Sequence, residues 1–134
     1  MINLQYLRLK KLDNVYLLGH RADYILYVNY SDIVMNVSKF EGVSRVLRES
    51  LYLGKILICT KIPGNIECIE DGSNGFLCDF KVNELIEKIS IIRKIGAREK
   101  MKFELRSKLI YKNKYSLDAY KLNIKMLFKD FLNI

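Results

Sequence analysis

Ile33-Val-Met-Asn-Val37, Ser38-Lys-Phe-Glu-Gly42, a run from Val43 to Leu53, Gly54, and Ile56-Leu-Ile-Cys-Thr60 follow one another without a break and spell one strand–helix–strand unit. The two flanking segments are apolar on consecutive positions rather than alternate ones, as in a strand covered on both faces. The run between them has helical spacing and stops at Gly54, a residue that suits a helix C-terminus.

Working upstream, Val15-Tyr-Leu-Leu18, closed by Gly19, predicts another strand, and Asp23 to Tyr30 a two-turn helix. Leu4, Leu7, Leu9 and Leu12, interleaved with Arg8, Lys10 and Lys11, predict a short amphipathic helix over Leu4–Leu12. Downstream, Pro63 suits the start of a short helix reaching Ile69, and Asp71-Gly-Ser-Asn-Gly75 is a turn into a strand Phe76-Leu-Cys78. Asn83 is the expected cap of a helix with Leu85, Ile86, Ile89 and Ile92 on one face, broken at Gly96. Arg98 to Lys112 and Ser116 to Leu132 have helical spacing too. Strands buried on both faces and alternating with helices mean an α/β fold, a partial Rossmann-like doubly wound parallel sheet of about four strands followed by C-terminal helices. The expected division is a sheet-bearing unit over residues 1–95 and basic helices over residues 96–134 packed on it.

With 134 residues, half of them apolar, the chain can bury one core and not two. No run of about 18 apolar residues and no basic-then-apolar leader is visible, so a cytoplasmic protein without a transmembrane helix is expected. Cys59, Cys68 and Cys78 are odd in number and not closely paired, which argues for small buried apolar residues rather than disulfides or a zinc site. Residues 1–80 carry nine Lys/Arg and nine Asp/Glu, residues 81–134 fourteen and six, so the net charge of +8 lies entirely in the last part. Such a surface attracts nucleic acid, an anionic membrane or a polyphosphate ligand alike, and is also what a solvated helix face looks like. Tyr111, Tyr115 and Tyr120 among those lysines are read as packing residues, not as a stacking platform for nucleic acid.

In open parallel sheets, ligands bind beyond the carboxyl ends of the strands, where helix N-termini offer free amides to anions. Ser38 to Ser44 is such a place. Glu41 follows the strand, Gly42 lets a ligand approach the backbone, and the amides of Val43, Ser44 and Arg45 open the helix. Glu49 lies eight residues beyond Glu41, roughly 12 Å along a helix. That is too far to share a proton, and it suits two acceptors gripping separate hydroxyls of one elongated ligand, the shape of a nucleotide-sugar, better than the acid/base pair of a glycosidase. Alone, the pair is a weak signal, since any wet helix face offers one.

Several linked segments carry more. Leu18-Gly19, Ser31-Asp-Ile-Val34, Ser38-Lys-Phe-Glu-Gly-Val-Ser-Arg-Val-Leu-Arg-Glu49, Gly54-Lys-Ile-Leu-Ile58, Pro63-Gly64 with Glu67, and Glu70-Asp-Gly-Ser-Asn-Gly-Phe-Leu77 resemble, in order and spacing, the C-terminal donor-binding domain of GT-B retaining glycosyltransferases of family 4. The wording is nearest to members that build capsule, lipopolysaccharide or other lipid-linked glycans. The resemblance implies that Glu41 contacts the donor sugar, that the amides of Gly42, Val43 and Ser44, with Arg45 beside them, meet the sugar or distal phosphate, and that Glu49 holds the ribose hydroxyls. It implies no protein nucleophile, no metal and no cofactor beyond the nucleotide-sugar substrate. Transfer with retention in this family is described as a front-face displacement in which the leaving diphosphate helps deprotonate the acceptor.

The expected partners are a nucleotide-sugar, a lipid-linked or glycan acceptor, a chain supplying the amino-terminal half or a second copy, and the cytoplasmic face of a membrane; nucleic acid is not expected. In the family, two strands and a helix with an Arg and a Lys for the diphosphate, and a whole acceptor domain, precede the matching part, so an N-terminally truncated transferase is expected. The alternative is a non-catalytic remnant or nucleotide-binding module. His20 is read as a surface loop residue, with Arg21 within reach of phosphate. In the usual strand order two further strands separate Val15–Leu18 from Ile33–Val37, so a gap between those two is expected.

Overall fold

The computed structural model describes residues 11–132, so the helix expected over Leu4–Leu12 falls almost wholly outside the described residues. The elements are α1 (Tyr24–Tyr30), β1 (Ile33–Asn36), α2 (Arg45–Tyr52), β2 (Ile56–Thr60), α3 (Pro63–Ile66), β3 (Gly75–Cys78), α4 (Val82–Lys94), α5 (Ala97–Lys114) and α6 (Leu117–Leu132). The strands form one parallel sheet in the order β1-β2-β3, with Ile33 opposite Ile56 and Leu57 opposite Gly75.

β2 is the centre of the core, and its period of two divides that core into halves. Leu57 and Cys59 pack with Leu47 and Leu51 of α2 and Ile110 of α5. Ile56 and Ile58 face the other way, onto Ile92 of α4 and Phe103 of α5. Leu47, Leu51, Leu57 and Ile58 are each 0 % exposed, and burying such a side chain contributes roughly 1.5–3 kcal/mol. Because α5 supplies Phe103 to one half and Ile110 to the other, it passes beneath the amino end of β2, where the buried Ser107 Oγ donates to the Lys55 carbonyl at 2.8 Å.

The turn from α2 into β2 is fixed by Gly54, whose φ of 72° is left-handed. Its amide donates to the Leu51 carbonyl at 3.0 Å and that of Lys55 to the Ser50 carbonyl at 2.9 Å, the paired bonds of a Schellman end. A Cβ on Gly54 would lie 2.6 Å from the far end of the flexible Lys108 side chain and 3.2 Å from the Glu104 carbonyl oxygen of α5, so the left-handed φ, more than space, is what calls for glycine here.

The expected α/β architecture is present with three strands among the described residues instead of about four. Val15–Leu18 is the difference. It forms no strand, and Tyr16, Leu17 and Leu18 are exposed. Among the described residues β1 is an edge of the sheet, and Val15–Leu18 forms no ladder with it. The expected gap is therefore an open edge, and an apolar run with no neighbour to pair with does not become a strand. Three smaller corrections follow from local geometry. The first α-helical stretch after Pro63 ends at Ile66, not Ile69. The cap of α4 is Lys81, and Asn83 lies inside the helix; instead Glu84 Oε2 accepts from the Asp79 amide at 2.7 Å. Of the tyrosines expected to pack, Tyr111 and Tyr115 do, but Tyr120 is 62 % exposed. All three cysteines are free and buried, as read from the sequence. No helix among the described residues is long and apolar enough to cross a membrane.

Candidate functional site

The loop from Val37 to Ser44 leaves the carboxyl end of β1 and enters α2, and three contacts hold it. At Ser38, the Thr60 hydroxyl at the end of β2 accepts from the amide at 3.2 Å and donates to the carbonyl at 2.6 Å. At Glu41 and Gly42, the backbone rests on Gly64: a Cβ on Gly64 would stand 2.2 Å from the Gly42 carbonyl oxygen and 2.8 Å from that of Glu41. At the Glu41 carboxylate, Asn36 Nδ2 donates to Oε2 at 2.6 Å.

Asn36 and Asn65 knit the strand ends beneath the loop. Ser38 Oγ donates to Asn36 Oδ1 at 3.0 Å, and the fully buried Asn65 donates through Nδ2 to the Thr60 carbonyl at 3.0 Å. The buried polar groups are thereby satisfied, which such a cluster needs if it is to hold one shape.

Ser44 is the N-cap of α2, extended at φ −63° and ψ 133°, and its side chain makes no capping bond. Its carbonyl accepts from the Arg48 amide at 3.2 Å. Among the described residues, the amides of Gly42, Val43, Ser44 and Arg45 have no acceptor. They form a run of free donors at a helix N-terminus, with Glu41 beside it, and a phosphate or hydroxyl oxygen suits such a run. Glu41 and Val43 are half-buried and Gly42 is exposed, so the run is open to solvent.

Glu49, one turn after Arg45, lies on the side of α2 that meets α1. The Tyr24 hydroxyl donates to Glu49 Oε2, and Arg45 Nε is 3.3 Å from Oε1. Arg45 Nη2 also donates to the Tyr24 oxygen at 2.7 Å, so Tyr24, Arg45 and Glu49 form a closed triangle. Glu41 precedes the helix by four residues, so the separation of the two carboxylates does not come from helical rise alone. It comes from anchoring: one is tied to β1 and the other to α1, each with its own donor. Beside Glu49, Arg45, Arg48, Tyr52, Tyr111 and Tyr115 line a cavity of about 300 Å³. Burial, together with Cys68, holds the Tyr115 phenol above its usual range.

A second cavity of about 300 Å³ lies at the carboxyl ends of the strands, between Ser38, Lys39, Thr60, Lys61 and Phe80. A smaller one, about 180 Å³, opens at the amino ends among Ser31, Lys55, Arg93 and Lys100. That is the wrong end for a ligand of a parallel sheet, and none of the candidate residues lines it. His20 is exposed, and Arg21 is held by Asp23 through two bonds of 2.8 Å.

Of the residues singled out in the sequence, Glu41, Gly42, Val43, Ser44 and Arg45 thus lie together, and Glu49 joins them through Arg45. Sequence reasoning missed Tyr24, Asn36, Thr60 and Asn65. Asn36 carried a signal, being the polar break in an otherwise apolar strand.

The family model described as "Glycosyl transferases group 1" matches residues 2–115. Among solved structures, Anabaena Alr3699/HepE in complex with UDP is 25 % identical with a TM-score of 0.81, over 94 % of this chain and 35 % of that one. A glycosyltransferase from Rickettsia africae ESF-5 is 24 % identical with a TM-score of 0.81, over 94 % and 34 %. The C-terminal domain of the group 1 family protein LpcC from Francisella tularensis is 21 % identical with a TM-score of 0.67, over 84 % and 60 %. The chain spans about a third of the length of the first two. No curated protein matches it.

Proposed function

The chain belongs to the group 1 glycosyl transferases, and from that premise we propose that it is the donor-binding half of an enzyme that moves a sugar from a nucleotide-sugar to a glycan or lipid-linked acceptor. The observation that carries this reading is the run of free amides from Gly42 to Arg45, held by Gly64 beside a carboxylate at the carboxyl end of β1. Glu41 accepts from a hydroxyl of the donor sugar, and the amides of Gly42, Val43 and Ser44 with the Arg45 guanidinium meet the sugar or its phosphate. Glu49 takes the ribose hydroxyls. HepE, the relative with the same fold, binds UDP, and its UDP-glucose complex matches this chain with a TM-score of 0.76.

In that arrangement the protein's work is positioning. Hydroxyls fixed at Glu41 and Glu49 set where the anomeric carbon lies, and amides aimed at the phosphates favour the charge that grows as the sugar leaves. No protein nucleophile is needed. Calorimetry with UDP and UDP-glucose at millimolar concentration tests the assignment. Glu49→Ala weakens UDP binding, whereas Arg98→Ala, on the exposed start of α5, leaves it unchanged. Equal effects, or no binding by the wild type, refute it.

A further inference from the structure

The Glu41 carboxylate is not free to turn. Asn36, the last residue of β1, donates through Nδ2 to Glu41 Oε2 at 2.6 Å, while its own Oδ1 accepts from Ser38 Oγ at 3.0 Å. The Asn36 carbonyl lies 3.4 Å from Asn65 Nδ2, on a side chain that is fully buried and bonded to Thr60. The Asn36 side-chain amide is held at both ends, Oδ1 by Ser38 and Nδ2 by Asn65, whose Oδ1 is 3.4 Å away, and of the two Glu41 oxygens it reaches Oε2. Among the described residues, Glu41 Oε1 has no partner. A fixed donor on one carboxylate oxygen sets the orientation of the group and leaves the other oxygen with its acceptor sites open.

We propose that Asn36 is a positioning residue for donor-sugar recognition: it locks Oε2 of Glu41 so that Oε1 alone faces the sugar hydroxyl. The inference rests on the assignment of Glu41 to the donor sugar. It makes the fit of the sugar, and not of the nucleotide, depend on a strand residue behind the loop. Without Asn36, Glu41 rotates and swaps acceptors, and the sugar is held with less discrimination between hydroxyl positions.

The full chain is titrated with UDP and with UDP-glucose, the variants Glu41→Ala, Asn36→Ala and Asn36→Asp beside the wild type, each first shown to keep its melting transition. UDP-glucose affinity is expected to fall about tenfold in Asn36→Ala, the size of one charge-assisted bond, with UDP affinity unchanged. Asn36→Asp has nearly the same shape but sets a second carboxylate against Glu41. At pH 7.5 it loses at least as much as the alanine variant. Toward pH 5 it recovers, because one carboxyl of such a pair takes a proton and becomes a donor again. Asn36→Ala, with nothing to titrate there, does not recover, and a residue that merely braced the fold would give neither the split between ligands nor the pH dependence.

If Glu41→Ala loses the UDP-glucose advantage and Asn36→Ala keeps it, the positioning role is wrong and the donor assignment stands. If the wild type binds UDP-glucose no better than UDP and Glu41→Ala is silent, the donor assignment fails and the role of Asn36 with it. Loss of UDP affinity in both Asn36 variants, with no recovery at pH 5, reduces Asn36 to a brace for the loop.

Discussion

Gly64→Ala separates the support of the loop from its chemistry. A Cβ built there stands 2.2 Å from the Gly42 carbonyl oxygen, 2.3 Å from the Gly42 carbonyl carbon and 2.8 Å from the Glu41 carbonyl oxygen. These are backbone atoms on a loop pinned at Ser38 and at the start of α2, so no side chain can swing away. Reaching an ordinary contact needs a displacement on the order of 1 Å, which a packed site resists at a cost of roughly 1–3 kcal/mol. For a chain of this size that lowers the melting temperature by about 4–12 °C. The same displacement moves the free amides and the Glu41 carboxylate, and a 1 Å misplacement of positioned groups weakens what they stabilise by up to about a hundredfold. Gly42→Ala is the control: a Cβ there meets nothing within 4 Å and its φ is not left-handed, so the fold is unaffected. Differential scanning calorimetry and UDP-glucose titration give both readouts. If Gly64→Ala melts and binds like the wild type, the loop does not rest on Gly64 and the support drawn for the site is wrong.

Asn65→Ala removes a buried donor from the Thr60 carbonyl and strands its partners; urea unfolding should show a loss of about 1–3 kcal/mol. The Cys59 thiol is pushed by burial from its ordinary value of 9.0 up to about 12, and Cys68 and Cys78 are raised in the same direction for the same reason. An unfolded chain ionises these thiols first, so stability is full below pH 9 and is lost as pH climbs from 9 toward 12. Over that window Cys59 contributes a slope of at most about 1.4 kcal/mol per pH unit, so Cys59→Ala should flatten a plot of stability against pH there. Among the described side chains of α6, Ala119 is the one that is buried, while Leu122, Met126, Leu127 and Phe131 are exposed. A chain ending after residue 119 should melt within about 4 °C of the full chain, and light scattering should show it associating less.

The sheet was legible because β2 is apolar on consecutive positions, and only burial on both faces makes such a strand stable. The ends of α2 were legible for a different reason, since Gly54 is placed where a left-handed residue closes a helix. Val15–Leu18 misled by the same rule that succeeded for β2. Its composition says strand, but whether a strand forms depends on a neighbour, and a period-based reading carries no information about neighbours. At the site, Glu41 and Glu49 stood out through a spaced pattern of charges. Thr60 and Asn65 did not, because their links to the loop and to β1 join residues 22 to 29 positions apart, and Asn36 showed only as a polar break in an apolar strand. Tyr24 likewise meets Glu49 across 25 positions, a contact that only the packing of α1 on α2 creates.

The charges around the site set how an anionic donor would be held. Glu41 and Glu49 bring two negative charges, and Arg45 and Arg48 two positive ones, of which Arg45 already faces Glu49 at 3.3 Å. A diphosphate arriving here gains the free amides and the helix dipole, worth about 0.3–1 kcal/mol at an exposed end, and a guanidinium whose charge is largely spoken for. Arg48 lines the cavity beside Glu49 and has no ion-pair partner among the described residues, so it is the cation left free on this side of the loop. Lys39 and Lys61 line the neighbouring cavity at the strand ends, with Lys39 lying over the Phe80 ring and Lys61 4.0 Å from Asp79. On the proposed reading, substitutions at Glu41, Asn36 and Glu49 should each lower UDP-glucose affinity in the chain by itself, and a titration in which all three bind like the wild type would overturn it.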